Sequence, residues 1–276
     1  MNHNMFHNPI VQENIEKLRR YGYEIVAPDH GMLANGDDGD GRMPEPEILL
    51  KYILREIYHE KDLAGKKVLV TAGATREAID PVRYITNHST GKMGFALAEA
   101  AAYRGAEVTL IYGKTEAEFP MFVKPVSIFS AEDMFNAVKS AAPEHDIIIK
   151  AAAVADYRPA EIADEKIKKS DSELSIKLER TKDILGHLGE HKRDGQILCG
   201  FAMETSNVIA NAEEKLKRKN LDLICANSLR QEGAGFGSDT NIITVITRDG
   251  KTELGKMTKF EAANAILDII SAKTHQ

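Results

Sequence analysis

From Lys66 onward, short apolar runs rich in β-branched residues alternate with longer stretches whose apolar positions recur at helical spacing. This rhythm constrains the fold more than any other feature of the chain. Strands are predicted at 67–71, 107–112, 126–129, 146–152, 196–201 and 221–226, with helices at 94–104, 131–142 and 208–219 among them. The runs are nearly continuously apolar, as strands buried on both faces must be, so a doubly wound α/β fold with a mostly parallel sheet is expected. Further on, 241–247 and 251–254 flank Asp249-Gly250, a strong hairpin signal that predicts an antiparallel C-terminal addition. A last helix is predicted over 259–272, capped by Thr258.

The opening stretch reads differently. A helix is predicted at 11–21 and a short strand at 24–27, while 31–41 is too rich in Gly and Asp for any regular element. A second helix, 45–60, follows Pro44 and places Ile48, Leu49, Tyr52, Ile53 and Ile57 at helical spacing. Residues 1–63 are therefore expected to be an appendage on a main domain at 64–276. With 36 basic and 42 acidic residues, the net charge of −6 argues against a nonspecific nucleic-acid coat. No apolar run approaches the roughly 20 residues of a membrane helix, and no signal peptide opens the chain, so a cytoplasmic protein without a membrane partner is expected. Cys199 and Cys225 lie inside apolar runs and read as buried strand residues.

In open α/β sheets ligands bind beyond the carboxyl ends of the strands. The first such loop is Thr71-Ala72-Gly73-Ala74-Thr75-Arg76-Glu77, and Asn87-His88-Ser89-Thr90-Gly91-Lys92-Met93-Gly94 leads into an alanine-rich helix. Glycines and hydroxyls there suit an anion at a helix start, or else Ser89 or Thr90 simply caps the helix. A P-loop is excluded, because Met93 follows Gly91-Lys92 and Thr86 stands where glycine is needed. No acidic residue follows Tyr112-Gly113-Lys114, which disfavours a nicotinamide dehydrogenase.

The run from Ile147 to Tyr157 carries the sharpest signal. Its alanines admit a flat ligand to the backbone, and Asp156 can accept from a ribose or base or help hold Mg²⁺, unless it only stabilises a turn. Lys166-Ile167-Lys168-Lys169 is either a solvated surface run or a loop that neutralises phosphates in transfer. Lys215 and Lys219 share a helix face, with Glu213 and Glu214 nearby as ordinary pairing partners. His3 and His7 have helical metal-ligand spacing but no evident cysteine or carboxylate companion, so they are assigned no metal, and the metal ligands of the chain stay unknown.

Together these segments resemble the bacterial phosphopantothenoylcysteine synthetases. The similarity runs through 71–77, 80–94, 152–158, 166–169, 200–205 and 220–227 in order, and covers essentially all of 64–272. It implies a Rossmann-like ligase of coenzyme A biosynthesis, working as a homodimer. In that reaction 4′-phosphopantothenate and CTP, with Mg²⁺, give an acyl-cytidylate and pyrophosphate, and the amine of cysteine then displaces CMP. The resemblance implies that Asn87 holds the pantothenate carboxylate and its activated form, and that Lys166 supports chemistry at the α-phosphate. It places Ala152, Asp156, Phe201, Lys215 and Lys219 around the nucleotide, together with the segment Lys182, Asp183, Ile184 and Leu185. The family often has Asn-Pro where this chain has Thr181-Lys182.

Residues 1–60 resemble the end of the flavin-dependent decarboxylase usually fused ahead of this synthetase. Met1-Asn2-His3-Asn4-Met5-Phe6 is similar to its Met-Asn-x-x-Met-Trp motif, and Leu33-Ala34-Asn35-Gly36-Asp37 to its Ala-Cys-Gly-Asp clamp, with Asn35 at the cysteine position. The expectation is a truncated remnant with neither FMN binding nor decarboxylation. The alternative to a ligase is a catalytically inactive nucleotide-binding or assembly subunit that completes a decarboxylase complex.

Overall fold

The computed structural model describes residues 1–115, 117–169, 174–204, 207–228 and 237–274. The chain divides into two compact units, Met1–Glu60 and Lys61–Gln276.

The first unit holds α1 (His3–Phe6), α2 (Pro9–Arg20), the antiparallel pair β1 (Asp29–Met32) and β2 (Asp38–Arg42), and α3 (Pro46–Ile57). Asn2 and Asn8 cap the first two helices through their side-chain oxygens. The hairpin occupies the stretch that glycine content had argued against, and no strand forms at 24–27. Glycine allows it: Gly31, Gly36 and Gly41 all take positive φ, and the turn closes where the Leu33 amide donates to the Asp37 carbonyl. The hairpin also supplies the carboxylate that the two N-terminal histidines lacked in sequence. Asp40 accepts from His7 Nε2 at 2.8 Å, and His3, His7 and Asp40 place their polar atoms within 4.8 Å of one another.

The second unit is built on eight strands: β3 (Lys67–Ala72), β6 (Glu107–Tyr112), β7 (Val123–Ser127), β8 (Ile147–Lys150), β11 (Ile197–Glu204), β12 (Leu223–Ser228), β13 (Thr240–Thr247) and β14 (Lys251–Thr258). Their order is β14-β13-β12-β11-β8-β3-β6-β7, with the last six parallel and β13 and β14 antiparallel. Two small antiparallel pairs stand apart from it, β4 (Arg76–Ala78) with β5 (Tyr84–Thr86) and β9 (Tyr157–Pro159) with β10 (Leu178–Arg180). Successive strands build outward from β3 on one side and then from β8 on the other, so the topological switch lies between those two strands.

Five helices cover the sheet: α4 (Lys92–Tyr103), α5 (Ala131–Ala141), α6 (Ile184–Glu190), α7 (Val208–Arg218) and α8 (Lys259–Thr274). Strand alternation divides the core between the two faces. Val68, Val70, Ile147, Ile149 and Cys199 join Leu97, Ala101 and Ile266 of α4 and α8, whereas Leu69, Ile148 and Leu198 join Met134, Leu188 and Leu216 of α5, α6 and α7. Cys199 and Cys225 are free and buried on neighbouring strands, 3.9 Å apart at sulfur.

Several boundaries move from their predicted places. β7 begins at Val123 and contains Pro125, which an edge strand tolerates. β8 ends at Lys150, two residues short of the predicted end, because the chain turns there toward the loops. Neither Ser89 nor Thr90 caps α4: the cap is Gly91 at φ 81°, with no side-chain bond to the helix. Gly91 lies against Gly73, at φ 76°, where an added Cβ would sit 3.2 Å from the Gly73 backbone. The two glycine-bearing motifs thus meet, and each needs its glycine. At α8, Thr258 caps as predicted, its hydroxyl accepting from the Glu261 amide at 3.2 Å while Glu261 accepts from the Thr258 amide at 2.8 Å.

Candidate nucleotide cleft

The loops after β3 and β8 are latched together at the switch point. The Ala153 amide donates to the Gly73 carbonyl at 3.0 Å, and the hydroxyls of Thr71 and Thr75 accept from the amides of Ala152 and Ala155 at 3.2 and 3.0 Å. The small side chains of this run let the loops pack backbone to backbone, and buried threonines satisfy the amides that leave the sheet. Thr181 binds the far end, donating its hydroxyl to the Ala155 carbonyl at 2.7 Å and its amide to that of Asp156 at 3.0 Å.

Beyond this scaffold a cleft of about 610 Å³ opens between the loop after β8, α6 and α7. Its lining includes six cationic side chains, Lys150, Arg180, Lys182, Lys215, Arg218 and Lys219, against three carboxylates, Asp156, Asp183 and Glu214. The excess of positive charge suits a polyanion. Asp183 caps α6 by accepting from the Gly186 amide at 2.9 Å and is ion-paired with Lys219. Burial raises the Asp183 carboxyl, but Lys219 and the Gly186 amide outweigh it and hold it below the ordinary aspartate value. Lys215 donates to the Phe201 carbonyl at 3.2 Å. Lys182 reaches Glu132 at 2.6 Å and lies 5.0 Å from the centre of the Phe135 ring. That ion pair, through the lysine's hydrogen bond first, lowers the Glu132 carboxyl.

Of the residues assigned to the nucleotide from sequence, Asp156, Lys182, Asp183, Ile184, Leu185, Lys215 and Lys219 all line this one cleft. Ala152 and Phe201 do not line it but back it: Ala152 is buried with its carbonyl 3.5 Å from Lys150 Nζ, and Phe201 supplies the carbonyl that receives Lys215. Asn87 and Lys166 also lie outside the lining. Asn87 follows β5 and donates its amide to the Ala153 carbonyl at 3.2 Å, which joins it to the same loop three residues before Asp156. Lys166 is exposed, and its neighbour Ile167 is tied to the β4–β5 hairpin, the amide to Asp80 at 3.2 Å and the carbonyl to Arg83 at 3.1 Å. Both expected catalytic groups therefore hang from one hairpin beside the switch point. Thr205, the last residue of the 200–205 motif, lies outside the described residues.

Lys150 also lines the cleft, though the sequence reading did not single it out. The available signal was a lysine closing an otherwise apolar strand, Ile147-Ile148-Ile149-Lys150. Glu213 and Glu214 do not pair with Lys215 and Lys219: Glu213 holds Lys251 at 2.6 Å and Glu214 holds Arg218 at 3.4 Å.

The fold and this cleft define a doubly wound α/β protein with a predominantly cationic cleft at the carboxyl edge of its sheet. Residues 63–274 match the family described as the DNA/pantothenate metabolism flavoprotein C-terminal domain, and residues 1–58 match the flavoprotein family. The chain belongs to the family of coenzyme A biosynthesis bifunctional proteins CoaBC. It is 48% identical over 280 residues to the Bacillus subtilis member, spanning all of this chain and 69% of that protein. Against the Haemophilus influenzae member it is 46% identical, covering 98% of this chain and 68% of the relative. The crystal structure of a CoaBC C-terminal domain superposes with a TM-score of 0.67 at 46% identity, over 77% of this chain and 97% of that one. Within the described residues no helix is long and apolar enough to cross a membrane.

Proposed function

We propose that the second unit joins 4′-phosphopantothenate to cysteine at the expense of CTP, as a homodimeric enzyme of the cytoplasm. The observation that carries this reading is the convergence of seven nucleotide-assigned residues on one cationic cleft. A carboxylate attacks a triphosphate poorly because both partners are anions, so the site must first offset their repulsion. In this reading Lys215 and Lys219 hold the nucleotide from α7, and Lys166 approaches the α-phosphate from its tethered segment. Asp156 is exposed and makes no side-chain hydrogen bond or ion pair among the described residues, so its carboxylate can accept from the ribose or share Mg²⁺ with the phosphates. Bound Mg²⁺ would offset charge on the triphosphate. Asn87 holds the substrate carboxylate with a neutral donor, and the same amide then serves the acyl oxygen of the cytidylate. The amine of cysteine attacks that acyl carbon, the new C–N bond forms and CMP leaves.

No decarboxylase step is assigned to the first unit. At the position of the family's cysteine, Asn35 donates its side-chain amide to Asp37 at 2.5 Å and serves the hairpin turn.

The test is pyrophosphate release from protein, CTP, Mg²⁺ and 4′-phosphopantothenate, followed with and without cysteine. A burst of pyrophosphate without cysteine, and steady turnover with CMP release once it is added, is expected. Absence of pyrophosphate in both mixtures would overturn the reading.

A further inference from the structure

We propose that Lys150 is an additional nucleotide-binding residue, whose ammonium, at the end of β8, takes a phosphate of the bound nucleotide. The inference rests on the CTP reading of the cleft and goes beyond it to one residue and one linked equilibrium.

The geometry singles out this lysine. It closes a strand whose preceding residues, Ile147, Ile148 and Ile149, are fully buried, and it lines the cleft while half-buried itself. Its one described polar contact is the Ala152 carbonyl at 3.5 Å, a long and weak approach. No carboxylate lies within ion-pair distance of it among the described residues. Its neighbours are otherwise engaged: Lys219 with Asp183, Lys182 with Glu132, Arg218 with Glu214, and Lys215 with the Phe201 carbonyl. A half-buried ammonium without a counter-ion is costly, and the site tolerates it where an anion is due to enter.

The charges facing Lys150 come from three directions: Lys215, with Glu214, Arg218 and Lys219, from α7; Asp183 from the start of α6; and Asp156 with Tyr157, Arg180 and Lys182 from the loop and strand across the cleft. Burial first, and then the like charge of Lys215, push Lys150 down to about 8, with Asp156 and Asp183 opposing. Burial and like charge thus favour the neutral amine in the free protein more than they would for an exposed lysine. A triphosphate in the cleft favours the ammonium, so binding draws a proton from solution, and affinity falls as pH rises through this value.

Titration calorimetry of CTP at pH 8, in two buffers of different ionisation enthalpy, tests this. Relative to the wild type, Lys150→Met is expected to bind CTP about tenfold or more weakly, as for loss of a charge-assisted bond, and to take up fewer protons. Lys150→Arg should recover much of the affinity without the proton uptake, because guanidinium stays charged throughout. Lys150→Gln serves in place of Met should that variant not fold. Wild-type affinity in the neutral variants, or unchanged proton uptake in any of the three, overturns the proposal. Failure of the wild type itself to bind CTP would instead remove the nucleotide reading, and this inference with it.

Discussion

Asp80 holds the amide of Ile167, 87 residues further along the chain, at 3.2 Å from its carboxylate. The same carboxylate accepts from the amides of Val82 and Arg83 at 2.8 Å and from the Arg83 guanidinium. Only 2% of Asp80 is exposed. It is thus the clasp between the hairpin that ends at Asn87 and the segment that carries Lys166.

Replacing Asp80 by Ala should loosen Lys166 without touching the cleft lining. Pyrophosphate formation is expected to fall about tenfold or more, in line with the cost of a misplaced reacting group, while CTP affinity changes little. Stability should also become less sensitive to acid. The Arg83 hydrogen bond, first among its partners, holds the Asp80 carboxyl far below the ordinary aspartate value of about 3.9. The unfolded chain therefore binds that proton more readily. This contribution to stability is complete above about pH 4 and is lost as pH falls toward the folded value, so Asp80→Asn should flatten the acid limb of a denaturation series.

Asn87→Asp removes the donor to the Ala153 carbonyl and sets a like charge beside the substrate carboxylate. Turnover is expected to fall by about a hundredfold, the scale seen when a single oxyanion donor is lost. Asn87 is exposed, so thermal denaturation should be nearly unchanged. A variant with normal turnover would take Asn87 out of the reaction.

Asp183→Ala separates two duties of one side chain. Loss of the α6 cap should cost about 1 kcal/mol, read as a lower midpoint in denaturant. Releasing Lys219 from its carboxylate leaves the cleft more cationic, so inorganic pyrophosphate should bind the variant more tightly than the wild type.

Arg104 presents a different dependence. It is 1% exposed, donates to Asp62 and to Asp268, the latter at 2.7 Å, and adds a bond to the Asn264 carbonyl at 3.1 Å. Arg104→Ala would remove this buried donor from Asp62, Asp268 and the Asn264 carbonyl, a loss of roughly 2–3 kcal/mol, read as a lower midpoint in denaturant.

What could be read from the sequence follows from where burial dominates. β3, β6 and β8 are announced by their β-branched runs and α5 by helical spacing, while the Ser130–Asp133 capping box that starts α5 emerges only in the structure. The hairpin at 29–42 was hidden because its strands carry glycine and aspartate in place of packed side chains, and positive-φ glycines shape it. α6 was hidden for a similar reason. Two of its seven residues are glycines, poor helix formers, yet a Cβ at Gly189 would strike the Lys219 carbonyl, so close packing selects glycine at 189. Asp156, Lys215 and Lys219 stand out in the sequence because they are charges at or near the ends of readable elements, and the structure brings all three to one cleft. Lys150 does not stand out, because its importance lies in partners it lacks, and sequence shows residues without their neighbours.

The sealed position of Cys199 and Cys225, at 0% and 1% exposure, bears on how this chemistry can be watched. They are the chain's two cysteines, and burial raises the Cys225 thiol well above its ordinary value, which suppresses the reactive thiolate. A chromogenic thiol reagent added to the folded protein should therefore find almost nothing to colour. Joining through nitrogen leaves the sulfur of the small amino acid untouched, so one label can follow that sulfur from free reactant into product against a dark background.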